Sequence, residues 1–115
     1  MSEQCKHPFG DTCGPECVAF SNQLTAAEVE RLAVLAEELG EAQQCIGKIL
    51  RHGYESYNPV VDTGMTNRRE LERECGDILE AVQMLVNAQD VSAKGLAMRC
   101  TAKRESIKRW LHHQA

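Results

Sequence analysis

Glu38 with Glu41, and Glu74 with Asp77, form two pairs of carboxylates spaced three residues apart, each in a stretch with a helical hydrophobic period. At that spacing both members project from nearly the same edge of a helix. Acids crowded on one edge repel each other unless a cation lies between them. Oxygen-only ligation suits Mg²⁺, with Mn²⁺ as a substitute, rather than zinc. Magnesium held by a few carboxylates, with water on its other positions, is a common grip on phosphates. These residues therefore point to phosphate chemistry. Either pair alone reads more simply as a solvated acidic face, because Glu is a good helix former; their joint placement favours the metal.

The elements that must position them can be read from caps and stripes. Thr25 with Glu28 is a capping-box pattern, and Leu24 with Val29 has the spacing of a hydrophobic staple, so a first helix is predicted to begin there. Its stripe runs through Val29, Leu32, Leu35, Ala36, Leu39, Ala42, Ile46 and Ile49, and it stops at Arg51 or His52 before Gly53. Tyr54 to Thr66, with Pro59 and Gly64, loses the period and reads as a loop, longer than the roughly 2 to 8 residues usual between helices. Such long loops are often functional.

Asn67 with Glu70 repeats the capping logic, and Leu71, Cys75, Ile78, Leu79, Val82, Leu85 and Val86 make a second stripe to about Ala88. Asp90 or Ser92 caps a predicted third helix reaching about Leu111, with a weaker stripe through Leu96, Met98, Cys100, Ile107, Trp110 and Leu111. On a wheel of about 100° per residue, both acidic pairs lie on the same rotational side of their stripes. If the first two helices pack antiparallel about an approximate two-fold axis, the four acids can face one another.

At 115 residues the chain suits one domain, and its charge of −4 with a pI near 5.5 makes nucleic acid an unlikely default partner. No run approaches the roughly 20 apolar residues of a membrane span, and Met1-Ser2-Glu3-Gln4 lacks the parts of a signal peptide. The expectation is a soluble, cytoplasmic protein without a membrane partner. Aromatic residues are only 4 % of the chain, so small and aliphatic side chains must build the core, which favours close-packed helices. The expected fold is all-α: an irregular Cys-rich arm over residues 1–24, then a domain over 25–115 with a helical hairpin and a third helix. A hairpin has one face per helix to bury, so a four-helix core formed by a homodimer or homotetramer is expected.

Glu37-Glu38-x-x-Glu41 followed by Glu74-x-x-Asp77 resembles the signature of the MazG-like, all-α nucleoside triphosphate pyrophosphohydrolases. The hydrophobic pattern from about Thr25 to Ala88 is similar to that family's core helices, although the Tyr54 to Thr66 loop separates the two halves more widely than in many members. The resemblance implies Mg²⁺-dependent hydrolysis of a nucleoside triphosphate between its α and β phosphates, giving a monophosphate and pyrophosphate. It implies Glu38, Glu41, Glu74 and Asp77 as metal ligands; Glu37 and Glu38 are the catalytic candidates, Glu37 as an extra ligand or as a base orienting the water. Glu37 lies about 100° from Glu38, which suits an outer position equally well. A phosphoribosyl-ATP or dUTP pyrophosphatase-like activity fits the same scaffold.

Lys48, Arg51 and His52 stand beyond Glu41 near the long loop, where they could contact substrate phosphates or simply complement the helix dipole. In the third helix Lys94, Arg99, Lys103, Arg104, Lys108 and Arg109 stand against Glu105 alone. Lys103 and Arg104 could guard a triphosphate tail, but a solvated basic face is the simpler reading. Cys5, His7, Cys13 and Cys17 could bind a structural Zn²⁺, although they lack the spacing of a usual knuckle, and an arm with free thiols is the simpler expectation. Cys45 and Cys75 read as small core residues. Outside the enzymes, the competing function is a non-catalytic helical interaction module that binds a partner through its basic helix and arm.

Overall fold

The computed structural model describes residues 21–60 and 64–114, all of whose regular structure is helical. The zinc candidates Cys5, His7, Cys13 and Cys17, and a short helical turn expected near Val18 to Phe20, lie outside the described residues. Helix α1 spans Ala26–His52, α2 Asn67–Asn87 and α3 Ala93–Ser106, followed by a 3₁₀ turn over Ile107–Arg109. None of these helices is long and apolar enough to cross a membrane.

Helix α1 starts at the expected capping box. The Thr25 hydroxyl accepts from the Glu28 amide at 3.1 Å, and Glu28 Oε1 accepts from the Thr25 amide at 2.8 Å. The helix stops at Gly53, which turns the chain at φ 87°, a region that favours a residue without Cβ.

The second cap differs from the expectation. Thr66, not Asn67, is the N-cap of α2: its backbone is extended and its hydroxyl accepts from the Arg69 amide at 3.3 Å. Asn67 is the first helical residue. It turns inward, is buried, and donates from its side-chain amide to the Gly53 carbonyl at 3.1 Å. Its own amide donates to the Ser56 carbonyl and that of Arg68 to the Tyr54 carbonyl, both at 2.8 Å. The chain after α1 thus satisfies donors at the start of α2 that the helix itself cannot.

These contacts hold the end of α1 beside the start of α2. At the other end Arg31 grips Asp90 with two hydrogen bonds, of 2.6 and 3.1 Å. The two helices therefore form an antiparallel hairpin. Asp90 is spent on this clasp, and Ser92 caps α3 by accepting from the Gly95 amide at 2.8 Å. Helix α3 ends five residues short of the expected Leu111, because the hydrogen bonding tightens to a 3₁₀ turn after Ser106.

Ala42 and Cys45 of α1 and Ala81 and Leu85 of α2 form the buried apolar centre of the hairpin. Small side chains there let the helices approach closely. The predicted stripe is wider than this seam. Val29, Leu32, Leu39 and Ile46 remain 44–51 % exposed, and Leu79 is 71 % exposed, because one neighbouring helix covers only one strip of another. Cys75, expected in the core, is exposed, whereas Cys45 is buried and its thiol points to the Asn67 carbonyl at 3.7 Å. Helix α3 buries none of its residues.

Candidate metal centre

Glu38 and Glu41 stand in the middle of α1 and Glu74 in the first half of α2, so the antiparallel register brings them across the seam from each other. One carboxylate oxygen from each of the three lies within 4.8 Å of the others. Glu74 is buried, Glu38 is half-buried and Glu41 is exposed, so the group sits at the rim of the seam and opens to solvent on one side.

The electrostatics of this group are unfavourable as it stands. The Glu38 carboxyl is pushed above its ordinary pKa, first by desolvation and then by the charges of Asp77, Glu74 and Glu37. Glu41 is pushed up chiefly by its contact with the Glu74 carboxyl, and then by Glu38. Among the described residues, two buried oxygens, Glu38 Oε2 and Glu74 Oε2, have no hydrogen-bond partner. Arg73 reaches the other oxygen of Glu74 at 3.4 Å, leaving Oε2 unanswered. Partnerless buried polar atoms are costly and rare. A hard divalent cation would answer both, so the donor set fits Mg²⁺ or Mn²⁺.

Asp77, one turn beyond Glu74, lies outside the group of three but close enough for its charge to act on Glu38. Glu37 is exposed and also outside it, acting on Glu38 and Glu41 through its charge. Lys48 lies 3.7 Å from Glu70, so its ammonium already faces an acid. Arg51 and His52 line a cavity of about 490 Å³ together with Lys48, Glu70, Tyr57 and Asn58. Lys103 and Arg104 occupy the exposed last turn of α3 and line neither this cavity nor the carboxylate group.

Other residues of the cavity carry little site signal in the sequence. Tyr57 and Asn58 fall in the long loop, whose length was their only signal. Glu70 was visible as a helix-start acid and not as the partner of Lys48.

Comparisons of the chain with protein-family models, with curated proteins and with solved structures return no match.

Proposed function

We propose that this protein is a Mg²⁺-dependent nucleotide pyrophosphohydrolase that cleaves a nucleoside triphosphate between its α and β phosphates. The reading is carried by one observation: two buried carboxylate oxygens, from Glu38 and Glu74, without partners in a group of three acids. The order of acids along the two helices, which resembles the MazG-like signature, supports the choice of reaction.

In this reading Glu38, Glu41 and Glu74 hold the metal, with Asp77 closing the set from the next turn of α2. Bound there, Mg²⁺ would neutralise charge on the polyphosphate and acidify water. Glu38, half-buried at the rim of the seam, would hold the metal beside the water that it activates. Glu37, exposed beside it, would adjust that charge from outside.

A homo-oligomer belongs to the same proposal. Leu32, Leu39 and Ile46 leave about half of their surface uncovered on α1, and a second hairpin packed on that face would complete a four-helix core.

The experiment is pyrophosphate release from a panel of nucleoside triphosphates with Mg²⁺ or with EDTA. Turnover should require Mg²⁺ and fall at least about a hundredfold in Glu38→Gln and in Asp77→Asn, in line with losing a group that acts on the transition state. Metal-independent release, or full activity in both variants, would refute the assignment.

A further inference from the structure

We propose that the cavity between the end of α1, the start of α2 and the loop that joins them seats the nucleoside half of the substrate, with the Tyr57 ring as a stacking platform for the base. This rests on the phosphates being held at the carboxylate group, as proposed above.

Position along the helices comes first. Glu70, in the cavity wall, precedes Glu74 by one turn, and Asn67, at its far end, precedes Glu74 by about 10.5 Å of helix. A nucleoside reaching from an α-phosphate at the carboxylates would extend over that span. The volume of about 490 Å³ accommodates a base and sugar and falls in the usual range for small-molecule sites. A pyrophosphate would fill little of it.

Charge points the same way. Arg51 and His52 make the cavity look anionophilic, but they stand on the last turn of α1, where the carbonyl end of the helix is negative. The opposing start of α2 would attract an anion if its amides were free. They are taken: Asn67 and Arg68 donate to the Ser56 and Tyr54 carbonyls, and Arg69 to the Thr66 hydroxyl. Lys48 is matched by Glu70 at 3.7 Å. Beside the Arg51 guanidinium, Tyr57, 61 % exposed, and Pro59 offer walls that suit a flat group, with polar edges from His52 and Asn58. Lys48 stands on the carboxylate side of the cavity, where it would meet the α-phosphate or the sugar.

The backbone beside the ring makes a local hydrogen bond. Asn58 Oδ1 accepts from the Val60 amide at 3.0 Å, closing a turn beside it. On the other side Arg68 pairs with Glu55 at 2.6 Å while its guanidinium lies 4.4 Å over the Tyr54 ring. Tyr57 therefore has little to gain structurally from its place, and its removal should leave the fold intact.

The test measures binding in Mg²⁺ of two probes, by calorimetry on the full chain. One set comprises the α,β-methylene analogues of the four common deoxynucleoside triphosphates; the other is inorganic tripolyphosphate. Tyr57→Ala should weaken the best-bound analogue about tenfold or more, as loss of a stacked base does. It should leave tripolyphosphate within about twofold, and Tyr57→Phe should restore the analogue. Equal weakening of both probes, no weakening of either, or wild-type protein that binds the analogues no better than tripolyphosphate would each overturn the assignment. Failure of the hydrolysis itself is distinguishable, because it would show as absent pyrophosphate release while the Tyr57-dependent difference in binding persisted.

Discussion

Glu74 is asked to do two opposed things. Without a cation it is a buried carboxylate with one oxygen unpartnered, a state that costs about 1–3 kcal/mol. In the proposed reading a cation would make the same oxygen a ligand. Glu74→Gln should therefore raise the melting temperature in EDTA by a few degrees, while abolishing any rise that Mg²⁺ produces in the parent protein. A lower melting temperature in EDTA, or an undiminished response to Mg²⁺, would show that Glu74 serves the fold through Arg73 instead. The acid pairs themselves were legible in the chain because the three-residue spacing ties both members to one helix edge. The partnerless oxygens were not, since they depend on which side chains of the other helix approach and which fail to.

The hairpin is closed at one end by the Arg31–Asp90 clasp. Its guanidinium holds the Asp90 carboxyl below the ordinary pKa of 3.8. Because the folded value is the lower one, this pair's contribution to stability is present above pH 3.8 and is lost as pH falls through the folded value. Acid unfolding followed by circular dichroism should show that loss below pH 3.8, and Asp90→Asn should flatten that part of the curve. In the middle of the hairpin Ala81 is 2 % exposed and sets how closely the helices approach. Ala81→Leu should cost about 1–3 kcal/mol by overpacking, read from the midpoint of urea unfolding. Stability unchanged in this variant would mean that the seam is looser than the burial of Ala42, Cys45 and Ala81 indicates.

Among the described residues, large apolar side chains stay exposed beside a small buried centre. Its described apolar centre is four small or medium side chains, while Leu32, Leu39, Ile46, Leu79 and Trp110 stand between 44 % and 78 % exposed. Leu32, Leu39 and Ile46 recur at helical spacing on α1, and an exposed apolar stripe of this kind suits an association surface. Sedimentation at micromolar concentration should give at least twice the chain mass of 12.8 kDa, and the double variant Leu32→Glu, Ile46→Glu should sediment as a single chain. A wild-type protein sedimenting at 12.8 kDa would remove the four-helix core from the proposal.

The chain by itself determined where its helices begin and end to within about five residues, and which edge of α1 and of α2 carries the acids. Those properties are local: Thr25 reaches Glu28, Gly53 tolerates its own φ, and a helical period needs no distant partner. Which members of each stripe are covered, that Thr66 rather than Asn67 caps α2, that Lys48 meets Glu70, and that Tyr57 walls a cavity were decided only when two distant segments packed together. Burial and pairing of that kind depend on what lies opposite, and no spacing along one helix records the face of another.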